Sequence, residues 1–233
     1  MARGFGTTKG SATTDKIQFV TYAAINSLAT ISWSIWANRN GGASNDRLWE
    51  KGSAIAYYAT GASLYRFDHF GWTTPGNWSW ADSPGTGAWY HLVITYDTGS
   101  TSNDPIVYIN GSSVTVTRVL GPTGTFTPDT FDGFIGNRTT GDRGFDGMLA
   151  EHAIFDRILT AGEAVALWRG YSPILMNPRA YLPLVRTVQN LYATTTVTTT
   201  GMAVQPHPRV LGPVGQSFVW TPNLPALMPQ GVF

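Results

Sequence analysis

Several features that would assign a function are missing from this sequence. Its 233 residues include no cysteine, which excludes disulfides, thiol catalysis and cysteine-ligated zinc. Only 12% of the residues are charged and the formal net charge is +1, so we expect no nucleic-acid partner. No apolar run reaches the roughly 18 residues of a membrane span, so no membrane insertion is expected. The first 15 residues lack the apolar centre of a signal peptide, and we expect none.

Acidic side chains are missing from the last quarter of the chain. None occurs after residue 170, whereas three arginines and nine of the fourteen prolines lie there. Prolines at this frequency exclude helices and central strands. The same segment is rich in apolar residues, which unstructured linkers lack. We predict an N-terminal segment over residues 1–14, a domain over 15–173 and an extended arm over 174–233 that docks on its own sandwich or on a neighbouring subunit. The alternative for the arm is a low-complexity tail, which its run of threonines favours.

Short strands and glycine-rich turns fill the predicted domain. Apolar residues alternate with Ser32 and Ser34 over residues 31–35, which predicts a half-buried strand. Residues 89–96 are apolar on both faces, which predicts a central strand. Residues 64–70 and 78–81 are expected to form a hairpin. The pattern is typical of an antiparallel two-sheet sandwich.

The sequence Asn110-Gly111 gives the clearest prediction of a turn. This pair favours a two-residue type I′ turn. Such a turn sets Ile109 opposite Ser112, and it places Val107 and its partner strand's valines on one face.

One helix is predicted near the end of the domain, at about residues 160–169. Thr160 is suited to the N-cap, Glu163 completes a capping box and Gly170 ends the helix. The expected apolar stripe consists of Ala164, Leu167 and Trp168. The sequence therefore predicts an all-β fold with one short helix and an extended C-terminal arm.

These segments resemble the laminin-G-like, concanavalin A-like family of lectins and glucanases. The matching segments, in chain order, are TISWSIWA (30–37), LWEKG (48–52), WYHLVITYD (89–97), PIVYINGSSV (105–114) and residues 134–173. The resemblance implies a jelly-roll sandwich whose relatives mostly bind and rarely catalyse. The sandwich followed by GYSPILMNPRAYLPLV and PHPRVLGP is also similar to proteins encoded by tailed bacteriophages.

Carboxylates that could hydrolyse a glycoside are not paired in this sequence. A retaining glycosidase needs two carboxyl groups about 5–5.5 Å apart. Glu50, Glu151 and Glu163 are far apart in the chain, and Glu163 is assigned to the helix cap. The four histidines are scattered without metal-binding spacing. We therefore expect no enzymatic activity.

Tryptophans are the residues with which the sequence would bind sugar. Trp72, Trp78 and Trp80 are the candidates, because exposed indole rings stack on sugars. Trp78 and Trp80 are two residues apart, and we favour the interpretation that both point into the core. Trp72 is the best candidate for an exposed loop aromatic.

No cofactor is required by the sequence, and calcium is the ion that its oxygen ligands would suit. Relatives hold calcium at the rim of the sandwich, which the resemblance transfers to Asp142, Asp146 and Asn137. Asp and Gly are also the usual residues of turns, and we favour that interpretation.

The resemblance to phage proteins implies a non-catalytic structural protein at the virion surface, as a capsid decoration or tail-associated subunit. The arm would then dock onto other virion proteins or copies of the same chain. Its candidate docking residues are Tyr181, Leu184, Arg186, Tyr192, Arg209, Phe218 and Trp220. The alternative is a carbohydrate-binding adhesion module that recognises glycans on a host surface.

Overall fold

The computed structural model describes residues 2–5, 14–20, 23–26, 28–41, 45–52, 54–59, 64–81, 85–184, 197–201 and 203–205. These segments contain one α-helix, α1 (Ala161–Trp168), and short 3-10 helices at Ala23–Ile25 and Pro173–Met176. The strands are β1 (Ala2–Phe5), β2 (Lys16–Phe19), β3 (Thr30–Arg39), β4 (Asp46–Lys51), β5 (Ala54–Ala59), β6 (Leu64–His69), β7 (Trp72–Thr74), β8 (Gly76–Ala81), β9 (Trp89–Asp97), β10 (Ile106–Ile109), β11 (Ser112–Val114), β12 (Thr117–Leu120), β13 (Thr123–Phe126), β14 (Gly133–Ile135), β15 (Gly147–Phe155), β16 (Ala180–Leu182), β17 (Val197–Thr200) and β18 (Ala203–Gln205).

Two antiparallel sheets form the sandwich. The first has the strand order β11-β10-β9-β3-β15-β1-β18, and β16 also pairs with β15. The second has the order β12-β8-β6-β5-β4-β14-β2-β17. Strands β7 and β13 form a small separate pair. The predicted jelly-roll sandwich with one short helix is confirmed. None of the helices in the described segments has the length and apolar character needed to cross a membrane.

Aromatic side chains fill the space between the two sheets. Trp33 of the first sheet stacks on Trp49 of the second, with ring centroids 4.5 Å apart. Phe67 packs against both of these rings. Trp78 and Trp80 are also buried, with exposed fractions of 0% and 3%. The preferred interpretation of these two tryptophans as core residues is therefore confirmed.

The predicted central strand and its hairpin are both present. Strand β9 lies between β3 and β10, and seven of its nine residues are buried. Asn110 and Gly111 have φ values of 51° and 78°, which a type I′ turn requires. The turn sets Ile109 opposite Ser112, in the predicted register.

Strand β3 is buried on both faces rather than on one. Ser32 and Ser34 have no exposed surface, because α1 and the chain around it cover the outer face of the first sheet. The Ser32 hydroxyl donates to the Arg157 carbonyl at 2.6 Å and accepts from the Leu159 amide at 3.0 Å. These bonds satisfy the hydroxyl, so a polar side chain is tolerated there.

Helix α1 has the predicted start. The Thr160 side chain accepts from the Glu163 amide, and the Glu163 carboxylate accepts from the Thr160 amide, which completes the capping box. At the other end, Tyr171 N–H donates to the Ala166 carbonyl in a Schellman arrangement. The predicted stripe is narrower than expected, because Trp168 is 39% exposed while Ala164 and Leu167 are buried.

Parts of both predicted terminal segments belong to the sandwich. Strand β1 pairs with β15 in the first sheet. In the predicted arm, β16 pairs with β15, β17 with β2 and β18 with β1. Tyr181 and Leu184 are buried against the chain's own sandwich, with exposed fractions of 5% and 0%. Of the two surfaces open to the arm, these two residues therefore contact the chain's own sandwich and are not available to a neighbouring subunit. The other candidate docking residues, Arg186, Tyr192, Arg209, Phe218 and Trp220, lie outside the described residues.

Candidate functional site: the Phe70/Phe131 groove

A groove of about 470 Å³ opens beside the β7–β13 pair, and we call it the Phe70/Phe131 groove. Phe70 and Phe131 are 49% and 68% exposed, which is unusual for phenyl rings in a chain with a large aromatic core. The lining residues are Phe70, Gly71, Trp72, Thr73, Thr125, Thr127, Pro128, Asp129, Thr130 and Phe131. The groove therefore combines exposed aromatic surface with hydroxyl groups.

Phe70 is exposed because of the alternation of β6. Tyr65, Phe67 and His69 point into the sandwich and are at most 4% exposed. The next residue belongs to the turn that follows the strand, and its side chain points away from that core. An apolar residue is thereby held at the mouth of the groove.

Trp72 lies in the wall of the groove with little of its surface exposed. Strand β7 pairs with β13, which sets Trp72 opposite Phe126 with ring centroids 5.5 Å apart. The indole Nε1 donates to the Tyr96 hydroxyl at 3.1 Å, and the residue is only 7% exposed. The prediction of an exposed loop aromatic at Trp72 is therefore wrong, because a second strand covers the ring.

The loop that carries Phe131 is fixed by an ion pair beneath it. Asp129 Oδ1 accepts from Lys51 Nζ at 2.8 Å and from the Phe131 amide at 3.1 Å. Lys51 Nζ also donates to Asn26 Oδ1 at 3.3 Å, and the lysine is only 4% exposed. The Thr127 amide adds a bond to the Gly71 carbonyl at 2.6 Å. The ring of Phe131 is thus attached to a loop with several fixed points.

Gly52 makes room for this ion pair. Its φ is +48°, in the left-handed region that glycine tolerates best. A Cβ built there would lie 2.2 Å from Asp129 Oδ1, well inside contact distance. No other residue fits at this position while Asp129 keeps its place.

Threonines supply most of the polar groups of the groove. Thr73 Oγ1 accepts from the Thr125 amide at 3.1 Å, which ties β7 to β13. Thr127 and Thr130 are exposed, so their hydroxyls are accessible from solvent. Hydroxyl groups both donate and accept hydrogen bonds, as the hydroxyls of a sugar also do.

The histidine behind the groove carries no charge at neutral pH. His69 is 4% exposed and is packed among aromatic rings, including Tyr96 at 5.3 Å and Phe126 at 5.6 Å. Burial lowers the pKa of His69 to about 4, although the charge of Asp129 acts in the opposite direction. The ring is therefore uncharged at neutral pH and too buried to contact a ligand.

The residues predicted for calcium are engaged in other bonds. Both carboxylate oxygens of Asp142 bond to Arg138, and this lowers the pKa of Asp142 well below its usual range. The Asn137 side-chain oxygen accepts from the Arg138 and Arg143 amides, both at 2.9 Å. Within the described segments, no group of three or more His, Asp or Glu side chains could hold a metal. Calcium at Asp142, Asp146 and Asn137 remains a prediction.

Each glutamate has a structural partner. Glu50 bonds to Arg47 at 3.2 Å, Glu163 caps α1, and Glu151 accepts from the Tyr181 hydroxyl. Glu50 belongs to the second sheet and Glu151 to the first, so these two do not share a strand or a sheet.

A serine–histidine contact does exist, but it lies in the interior. Ser34 Oγ and His91 Nε2 are 2.8 Å apart on the covered face of the first sheet. Their exposed fractions are 0% and 2%. Both side chains lie beneath the layer that contains α1, and the space beside them is too small for a water molecule, so it has no room for a substrate.

Comparison with known families shows the superfamily to which the sandwich belongs. Residues 10–164 match the laminin-G family model described as the concanavalin A-like lectin/glucanases superfamily. This chain belongs to that superfamily. The family predicted from the sequence segments is therefore confirmed, whereas a phage origin is not tested by this match. No curated protein matches the chain.

Two solved structures show the same fold at low sequence identity. A candidate carbohydrate-binding protein from Bacteroides ovatus is 16% identical and superposes with a TM-score of 0.65 over 87% of this chain. This chain spans 58% of that protein's length. The heptameric SAP-like pentraxin from Limulus polyphemus is 11% identical, with a TM-score of 0.56 over 86% of this chain and 94% of its own.

The two phenylalanines of the groove were missed by sequence reasoning, which concentrated on tryptophan. A signal for each was present. Phe70 directly follows an alternating strand and precedes glycine, and Phe131 lies within the turn-forming sequence TPDTFDG. A large apolar residue within turn composition has no strand face on which to be buried. Both positions were therefore identifiable as exposed aromatics.

Proposed function

We propose that this chain is a non-catalytic carbohydrate-binding module that holds a glycan in the Phe70/Phe131 groove. The observation that carries the proposal is the pair of exposed phenyl rings in a groove rich in threonine hydroxyls. Aromatic rings pack against the C–H faces of sugar rings, and a few placed polar groups fix orientation.

Family membership supports this proposal. The superfamily is named for lectins and glucanases, and the Bacteroides ovatus protein is described as a candidate carbohydrate-binding protein. The engagement of all three glutamates supports binding without hydrolysis, since a retaining glycosidase needs two free carboxyl groups close together.

The test is an array of oligosaccharides probed with the full chain and two groove variants. Phe131→Ala and Phe70→Ala should each weaken binding about tenfold or more, the usual scale for losing a central aromatic contact. Tyr171→Ala is the matched control, because Tyr171 is an aromatic residue that is 51% exposed outside the groove. Unfolding curves should be unchanged for all three variants, because none fills the core. Binding that survives both phenylalanine changes would refute the proposal.

The role at a virion surface is a second proposal, concerned with where the module works. The low charge content and the proline-rich, apolar sequence after residue 205 support it. The described part of the arm folds onto its own sandwich, and we assign the docking role to residues 206–233, the longest stretch of the arm outside the described residues.

A truncation after residue 205 tests that role. It retains every strand described, whereas deleting residues 174–233 would remove Leu182 and Leu184 from the core. We expect the shortened chain to fold and to keep its glycan binding but to be lost from purified particles. Normal incorporation of the shortened chain would exclude an assembly function for residues 206–233.

A further inference from the structure

We infer that the Phe70/Phe131 groove selects neutral glycans and rejects sugars that carry a carboxylate. The inference rests on the proposed function and specifies its ligand. A bound carboxylate would need a positively charged partner. The selectivity therefore depends first on the charges in the lining of the groove and then on those just behind it.

The described lining residues offer no positive charge. They number ten, and among them Asp129 is the only one with a charged side chain. The remaining polar side chains are the hydroxyls of Thr73, Thr125, Thr127 and Thr130. Hydroxyls pair well with hydroxyls, but they give a carboxylate much less stabilisation than an arginine or lysine does.

The lysine that pairs with Asp129 is not available to a ligand. Lys51 Nζ lies 2.8 Å from Asp129 Oδ1, and the lysine is only 4% exposed. To pair with a bound acid, this ammonium would have to break its ion pair with Asp129. Breaking that pair is unfavourable, because the lysine is buried and its charge is compensated there.

His69 does not compensate for this lack. It lies behind the groove wall and accepts a weak bond from the Gly71 amide at 3.4 Å. Because burial lowers its pKa to about 4, the ring is neutral at the pH at which acidic sugars are ionised. Protonation of His69 therefore supplies no counter-charge above pH 5.

An acidic sugar that entered the groove would lose water from its carboxylate and gain only neutral partners, beside the negative charge of Asp129. Incomplete pairing of a desolvated charge is unfavourable. A neutral sugar loses water only from hydroxyls, which the threonines can replace. The same contacts with Phe70 and Phe131 therefore favour the neutral ligand.

The first experiment compares neutral oligosaccharides with their uronic-acid or sialic-acid counterparts on one array. Each acidic member should bind the full chain at least about tenfold more weakly than its neutral parent, a ratio equal to about 1.4 kcal/mol. Equal or stronger binding of the acidic members overturns the inference while leaving the proposed function intact. Binding that ignores Phe131→Ala instead overturns the proposed function.

The second experiment adds the missing cation. Thr130→Lys places an ammonium at an exposed position in the lining, and Thr115→Lys places one at an exposed position outside it. The Thr130 variant should gain acidic ligands, reducing the neutral-to-acidic ratio at least about threefold, and the gain should fade with salt. The Thr115 variant should not. An unchanged ratio in Thr130→Lys, or an equal change in both variants, counts against the inference.

Discussion

Two regions of this molecule depart from the usual rule that apolar side chains are buried and polar side chains are exposed. Beneath α1, the outer face of the first sheet buries serines and a histidine. In the Phe70/Phe131 groove, phenyl rings are exposed and the polar groups are mostly threonines. The region beneath α1 has the residue types of a catalytic site but is closed, whereas the groove has ordinary residue types but is open to solvent.

The difference shows that access, rather than chemical type, separates the two regions. Ser34 and His91 are within bonding distance, yet both are buried and the space beside them is too small for a water molecule. Phe131 has no special chemistry, yet its loop is fixed by the Lys51–Asp129 pair with the ring outside. Three changes, described from the largest expected effect to the smallest, would test this contrast.

Removing a side chain from the closed region should reduce stability strongly. Leu167 on α1 is 1% exposed, and Leu167→Ala should lower the free energy of unfolding by about 2–5 kcal/mol. Leu175→Ala is the matched control, because Leu175 is 67% exposed, and it should change stability by less than about 0.5 kcal/mol. Urea unfolding of both variants measures the difference. Similar values for the two leucines would mean that the layer over the first sheet is not a packed core.

Disturbing the support of the groove should have an intermediate effect. Gly52→Ala forces Asp129 to move and places alanine at positive φ, so stability should fall by about 1–3 kcal/mol and ligand affinity should fall with it. Gly85→Ala shares the positive φ but meets no atom within 4 Å. Its cost should therefore be limited to the backbone term, without loss of affinity. If both variants bind glycan equally well, the ion pair does not hold the groove.

The smallest effect should come from the exposed cap of α1. Arg157 forms an ion pair with Glu163, with Nη2 2.6 Å from Oε1, and this is the main cause of the lowered pKa of Glu163, about 2. A depressed pKa means that the carboxylate's contribution is complete above pH 4.5 and is lost as the pH falls towards 2. Glu163→Gln keeps a capping residue but loses the ion pair, so it should cost less than about 1 kcal/mol at pH 7. The difference from the natural protein should narrow below about pH 4.5. A difference that stays constant down to about pH 3 would exclude the ion pair as its source.

Local patterns predicted the sandwich well because its signals are short-range. The Asn110-Gly111 turn and the capping box of Thr160 and Glu163 depend on residues within one turn of each other. The burial of Trp72 could not be predicted in this way. It depends on pairing with Phe126, which lies 54 residues further along the chain.

The surface that the predicted arm contacts could not be predicted, for the same reason. Its prolines argued against central strands, and the three strands described there each pair with only one neighbour. Its apolar residues argued for contact with a surface. Composition could not show which surface it contacts, because Leu182 pairs with His152, which lies 30 residues earlier in the chain. The groove could not be predicted from local patterns either, because Phe70 and Phe131 are far apart in the chain and come together only in the folded structure.

Strand β15 contains a one-residue bulge whose consequence reaches beyond the strand itself. Ala150 lies opposite Trp36 and Ala153 opposite Ser34, so one extra residue is inserted, and Glu151 there has a φ of 56°. Leu149 faces the interior before the insertion, and Ile154 faces it afterwards. The side chains that pack between the two sheets are therefore odd-numbered in the first half of the strand and even-numbered in the second, while Ala153 and Phe155 turn to the core beneath α1. An alignment of relatives needs a one-residue gap at this point wherever the insertion is absent.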